Sequence, residues 1–320
     1  MPNYGTGQQR TDSAALSPEQ LLTNAILDAL PQASLVLGAG TRRVTLSRNQ
    51  ARMPVISTLP EAYWVNGDVG LKETTRAQWV NKFINVEELA VIVPIPENVV
   101  EDSDVDILAA IQPLVVEAVG AKIDAAVLFG IAKPASWDFG GLDPGHGIAQ
   151  TCEAVGNVVG QGAHVWADLI STTKLVADDG HPVTAFLADA LYEYALLGEV
   201  DSLGRPLFVP SPTADGVASL IGRPFRYLNN GAWLPSSGYN VIAGDLANLI
   251  VGIRRDVTWE VFREGVITDA DGKVIFNLMQ QDSRALRMTM RIGVTVGNPK
   301  RRRSKDYPHP YPFAALKTAA

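Results

Sequence analysis

Apolar and polar positions change period several times along this chain, and each change marks an element. Residues 1–17 are small and polar without periodicity, which predicts a mobile arm. Ser17-Pro18-Glu19-Gln20 then supplies a cap, a proline at the first helical position and a glutamine three residues on, the opening of a helix. Leu21, Leu22, Ile26, Leu27 and Leu30 continue it and Pro31 ends it. From Ser34 to Arg52 apolar residues mix with Arg42, Arg43, Arg48 and Arg52, a pattern suited to an extended arm lying on another surface.

Residues 53–100 favour extended structure. Pro54-Val55-Ile56, Ala62-Tyr63-Trp64-Val65 and the stretch from Gln78 to Ile84 are expected as strands. The glycine-bearing polar run from Asn66 to Arg76 between them predicts a hairpin with a large tip. Two strands alone are marginal, so this hairpin must lean on something else. Leu89 to Pro96 forms a further strand, its prolines placing it at an edge or an end.

The strongest helical signal runs from about Asp104 to Phe129, with Ile107, Ile111, Leu114, Ala118, Ala121, Ala125 and Leu128 predicted on one face. Asp102 or Ser103 can cap it, and Gly130 suits a left-handed stop. Its length would be about 39 Å, and Pro113 is expected to kink or split it. Beyond it, helices are expected at 162–177 and 188–197, and strands at Val183–Leu187, Pro206–Pro210, Ser219–Phe225 and Leu286–Val296. Trp259–Ile267 and Val274–Leu278 are expected to pair around the turn Asp269-Ala270-Asp271-Gly272.

Composition narrows the classes. Of 320 residues 47% are hydrophobic and 19% charged, below the ~25% charged fraction of ordinary domains. That deficit suggests surface hidden against partners. No apolar run reaches the ~18 residues a spanning helix needs, so no membrane partner is expected. The N-terminus lacks a signal-peptide pattern, and the single Cys152 cannot build a disulfide framework. The net charge of −7 is uneven: residues 284–320 hold nine basic and one acidic side chain, while the rest holds 18 basic and 33 acidic. An acidic body with a basic end favours contact between subunits over a dedicated nucleic-acid site, although direct nucleic-acid contact and a solvated tail stay open for Lys300-Arg301-Arg302-Arg303.

No catalytic or cofactor pattern stands out. Leu37-Gly38-Ala39-Gly40 opens like a dinucleotide loop, but Arg43 occupies the third glycine position and a strand pattern follows. Asp102-Ser103-Asp104-Val105-Asp106 lacks the glycine and the final glutamate of a calcium loop. His146, His164, His181 and His309 never fall at ligand spacing, and Cys152 fits a small buried hydrophobe. The expectation is a protein without enzymatic activity, cofactor or metal.

The order of arm, long-tipped hairpin, strand ending in Pro-x-Pro-Glu, acid-started long helix and α/β body resembles the major capsid proteins of tailed phages. The likeness is most specific from Glu87 through Pro96-Glu97-Asn98-Val99-Val100-Glu101-Asp102-Ser103, then at Asp124-Ala125-Ala126-Val127-Leu128-Phe129-Gly130 and Gly140-Gly141. Gly222-Arg223-Pro224-Phe225 and Gly244-Asp245 add weaker support. The resemblance implies an α+β fold of the Hong Kong 97 type. It assigns residues 1–55 to an N-terminal arm, 56–88 to an extended loop, 89–149 and 285–320 to a peripheral domain, and 150–284 to an axial domain.

On the same resemblance the chain would assemble with itself into hexamers and pentamers of an icosahedral head enclosing DNA, bound on the inner face without sequence specificity. Candidate partners on this resemblance are a portal, decoration proteins and a separate scaffolding protein, with a separate scaffold or none implied because only about 50 residues precede the hairpin. Assembly would take place in the host bacterial cytoplasm and the product would be a virion. Trp64, Lys72, Arg76, Trp79 and Lys82 of the loop region, with Lys300, Arg301, Arg302 and Arg303, become candidates for intersubunit contact. Lys72 or Lys82 and Asn298 match the residue types that some members cross-link, but no acid is nominated beside them, so no cross-link is expected. The rival readings are a nanocompartment shell of the same fold and an acidic α/β enzyme.

Overall fold

A computed structural model describes residues 34–65, 71–97, 107–140, 143–200, 203–205, 208, 219–269, 271–304 and 309–318. In chain order they form α1 (Leu35–Gly38), β1 (Arg42–Thr45), β2 (Gln50–Thr58), β3 (Gln78–Asn85), β4 (Glu87–Pro96), α2 (Ile107–Phe129), α3 (Ile148–Val155), β5 (Val158–Gly160), α4 (Val165–Asp178), β6 (Ala185–Asp189) and α5 (Tyr192–Leu197). There follow β7 (Ser219–Leu220), β8 (Arg223–Leu228), β9 (Tyr239–Gly244), β10 (Leu249–Phe262), β11 (Val266–Thr268), β12 (Val274–Asn277), β13 (Ser283–Val296) and β14 (Phe313–Lys317). The helix expected after Ser17, the acids 102–106 and most of the strand expected at 206–210 lie outside the described residues.

Two main sheets carry the body. One is four-stranded in the order β1-β10-β13-β4, the other six-stranded in the order β5-β14-β9-β6-β8-β7. In the first, β13 is antiparallel to both neighbours, matching Glu260 to Arg287 on one side and Glu88 to Arg291 on the other. Its alternation is the predicted one. Met288, Met290 and Ile292 are buried while Arg287, Thr289 and Arg291 are half-exposed. The outward arginines meet cross-strand carboxylates, Arg291 to Glu88 at 2.8 Å and Arg287 to Glu260.

The six-stranded sheet is covered on both faces. Along β14, Phe313 and Ala315 enter the main core shared with α2, α3 and the other sheet, while Ala314 and Leu316 enter a second core under α4 and α5. Along β6, Ala185 and Leu187 face the first core, Phe186 and Ala188 the second. Burial on both sides explains why these strands are continuously apolar rather than alternating.

Helix α2 runs unbroken through Pro113. It stops as predicted: Gly130 takes φ 65°, and its N–H and that of Ile131 bond back to Ala126 and Ala125. The buried stripe differs from the expected one. Val115, Val116, Val119, Ile123, Ala126, Val127 and Leu128 are buried, whereas Leu114 and Ala118 are exposed. Alanine and valine occupy every side of this helix, so periodicity alone selected a face rotated from the packed one.

Other expectations change too. Residues 61–65 are not a strand. Ser219–Phe225 is a tight hairpin, turned by Ile221 (φ 54°) and Gly222 (φ 69°). Trp259 belongs to β10 and pairs with Met288, which leaves only Val266–Thr268 to pair with Val274–Asn277. The segment from Ser34 is not wholly extended: α1 is buried at Leu35, Val36 and Leu37, and β1 pairs in parallel with β10. In the two main sheets β10 lies beside β13 and β14 beside β9.

Asp124, fully buried in α2, binds α1. Its carboxylate accepts from Ser34 Oγ at 2.7 Å, Leu35 N at 2.8 Å, Val36 N at 2.9 Å and Asn230 Nδ2 at 2.8 Å. Replacing it by alanine orphans four donors in one step. Asp124→Ala is expected to cost about 3–5 kcal/mol, against less than about 0.5 kcal/mol for Ala118→Ser on the exposed side. Denaturant unfolding of the two variants checks the contrast.

Candidate functional site

Strands β2 and β3 form the long hairpin, registered from Gln50 opposite Asn85 to Thr58 opposite Gln78. Its root is well held. Leu46, Ile84 and Ile250 make a small core there, flanked by Val44, Ala51, Met53 and Val86. Val86 N donates to Asn49 O at 2.9 Å, and Asn85 Nδ2 donates to Ser136 O at 2.8 Å. Gly293 of β13 lies directly beneath: a Cβ there would fall 2.4 Å from Asn85 O. The root position thus requires glycine by close approach.

Beyond the root the hairpin has no core. Trp79, Val80 and Phe83 are exposed on β3, and Tyr63, Trp64 and Leu71 on the loop, where Trp64 is 102% exposed. Lys72 and Arg76 are exposed as well. Of the loop candidates only Lys82 turns inward, half-buried, with its Nζ 4.0 Å from Asp138.

The basic segment meets this hairpin, an association that sequence did not reveal. Lys300 N donates to Ile56 O at 3.0 Å, and the Arg302 guanidinium donates to Pro60 O at 3.0 Å. On the other side Arg303 bonds Asp178 at 3.0 Å at the end of α4, and Arg301 packs over Gly180. Residues 300–303 therefore form a strut between the hairpin and the body. Two cavities flank it. One of about 360 Å³ is lined by Ser57, Thr58, Glu61 and the Lys300–Arg302 run; one of about 270 Å³ brings Lys82, Asn298 and Lys300 together. Trp64, Lys72, Arg76 and Trp79 line neither.

His181 sits buried behind the strut, with Nδ1 3.3 Å from Asn248 Nδ2. Burial first, and then the Arg301 cation, push the ring down from 6.5 to about 4, against opposing pulls from Asp245 and Asn298. Cys152 is fully buried, as expected for a small hydrophobe, and burial pushes its thiol well up. Among the described residues no cluster of acids, histidines or cysteine is placed to hold a metal ion.

A family model described as the phage capsid family matches residues 14–301. The chain belongs to the phage capsid family. Over 246 residues it is 27% identical to the major capsid protein of Staphylococcus phage 80alpha, covering 75% of this chain and 70% of that one. A solved chain from Microbacterium phage Oxtober96 superposes with a TM-score of 0.75 at 28% identity, covering 97% of this chain and 99% of the other. One from Mycobacterium phage Adephagia gives 0.77 at 26% identity, with 98% and 99% covered. The fold is the α+β shell fold of the Hong Kong 97 type, and the function is that of a phage major capsid protein, which self-assembles into the shell of the virion.

In this capsid protein the strut is pH-sensitive through His181. The unfolded ring takes up its proton near pH 6.5, whereas the folded ring resists until about 4. Stability is therefore whole above 6.5, falls as pH drops from 6.5 to about 4, and levels off below, a loss on the order of 3 kcal/mol. Melting curves taken at stepped pH check this, and His181→Asn is expected to flatten that part of the profile.

Proposed function

We propose that the subunit assembles as hexamers and pentamers of an icosahedral head around DNA, and that the hairpin is the part reaching onto a neighbouring copy. One observation carries the second half: exposed aromatic and aliphatic side chains, Tyr63, Trp64, Leu71 and Trp79, on a hairpin whose root is itself firmly held. Large apolar side chains left exposed on one projecting element favour a contact site. A neighbour covering it would account for the low charged fraction of the chain.

In this reading residues 1–55 serve as the arm, 56–88 as the extended loop, 89–149 and 285–320 as the peripheral domain and 150–284 as the axial domain. Trp64, Lys72, Arg76, Trp79 and Lys82, with Lys300 to Arg302, contact neighbours. Arg303 contributes first to its own chain, through Asp178. The protein acts without catalysis or cofactor. DNA lies against the inner face without sequence readout, a portal and a separate scaffold take part, decoration proteins bind outside, and assembly proceeds in the host bacterial cytoplasm.

Negative-stain microscopy of the expressed protein should show closed shells or capsomer rings; a compact monomer or dimer under assembly conditions would sink the reading. Deleting residues 66–76 should leave subunits with an unchanged melting temperature, because the root contacts remain, while closed shells disappear. Intact shells from that deletion would remove the hairpin from its role.

A further inference from the structure

Basic side chains in the last part of the chain fall into two groups. Arg284, Arg287, Arg291, Arg303 and Lys317 each have a carboxylate of their own chain within 3.0 Å. Lys300, Arg301 and Arg302 have none among the described residues, yet all three line the same cavity of about 360 Å³ at the hairpin base. Two hydroxyl side chains, Ser57 and Thr58, line it with them. A single carboxylate, Glu61, faces the three cations there, and its Oε2 accepts from Tyr63 at 3.4 Å. Among the described residues the Arg302 guanidinium donates to Pro60 O, and with five N–H donors it has capacity for more.

Three cations and one carboxylate, Glu61, around a single cleft leave a net positive charge that a further anion offsets. We infer that this cleft is a carboxylate-binding site filled by an acidic segment of a second copy of the chain. A cleft of about 360 Å³ has room for a few side chains of an extended segment. Charge points the same way, because outside residues 284–320 the chain carries 33 acids against 18 bases. Arg301 and Arg302 suit the task by presenting planar forks that match a carboxylate in two-point contact. Arg303, although adjacent in sequence, is excluded from the site by its bond to Asp178.

The inference deepens the shell reading and rests on it, so the experiment separates the two. Shells are grown from an equal mixture of unlabelled and heavy-nitrogen-labelled chains, treated with a carbodiimide that joins amines to adjacent carboxylates, and digested for mass spectrometry. Lys300 is expected to be joined to an Asp or Glu peptide, with mixed-label pairs as frequent as same-label pairs. Shells in which Lys300 links only within its own chain, or not at all, overturn the inference and leave the shell reading standing. Links seen in empty shells and lost when DNA fills them overturn it in favour of a phosphate occupant. A mixture that forms no shells overturns the shell reading and this inference with it. The variant R301E, whose side chain carries no described hydrogen bond, is expected to keep the subunit's melting temperature and lower the yield of closed shells about tenfold. R301K, which keeps the charge and loses the two-point fork, restores part of that yield; an unchanged yield in R301E also overturns the proposal.

Discussion

The buried carboxylate of Asp124 is the contact on which the rest of the chain's geometry depends. Burial pushes its carboxyl above the usual range, while the backbone N–H groups of Val36 and Leu35 and the side chains of Ser34 and Asn230 pull it back. Four donors converging on two oxygens satisfy the charge, and in return they fix Ser34–Val36 against the spine helix. From there the chain has little freedom. Thr41 Oγ1 donates to Val36 O at 3.0 Å and Arg43 to Leu37 O at 2.5 Å, which aims β1 along β10. Leu46 then falls against Ile84 and Ile250, and that small cluster seats the hairpin. One buried acid thus sets, through a dozen residues, where the exposed loop begins.

The uneven charge of the sequence resolves into two different uses. On the outward face of β13 the arginines form cross-strand ladders with Glu88 and Glu260, pairs exposed enough to add register more than stability. At the strut the cations serve geometry: one backbone N–H and one guanidinium hold the hairpin edge, and Arg303 holds the end of α4. Composition alone treated residues 284–320 as a single basic end. The fold splits that end between a sheet face, a strut and the strand β14 that both cores need.

Elements with one dominant period were legible in sequence, and those shaped by distant contacts were not. The strands at 87–96 and 283–296 alternate because one face is wet, and the long helix ends where Gly130 allows a left-handed turn. The helix face was misjudged because apolar residues surround it, so only packing against β13 and α1 selects Val115, Val119 and Ile123 over Leu114 and Ala118. Ile221 hid a turn, since a β-branched residue at positive φ runs against its local preference. At the site, the hairpin and its aromatic residues were visible as a polar tip between apolar strands. The meeting of Lys300 with Ile56 was not, because 243 residues lie between them in sequence.

The hairpin's two regions divide their duties in a way that bears on assembly. Its root is immobilised by a small core, by Asn85 on Ser136 and by a glycine contact with β13, whereas its outer part is held by the Lys300 and Arg302 hydrogen bonds to Ile56 and Pro60 and leaves Trp79 exposed. A neighbour covering Trp79 and Phe83 therefore adds apolar burial where the subunit has none to lose, at roughly 25 cal/mol per Å² covered. Strand β2 links that outer part to the cleft, since Ser57 and Thr58 line the cavity while Ile56 and Thr58 pair with Trp79 and Gln78. In the proposed assembly, a neighbour that held the outer hairpin would also hold Ser57 and Thr58 at the cleft, so the two proposed contacts would reinforce one another.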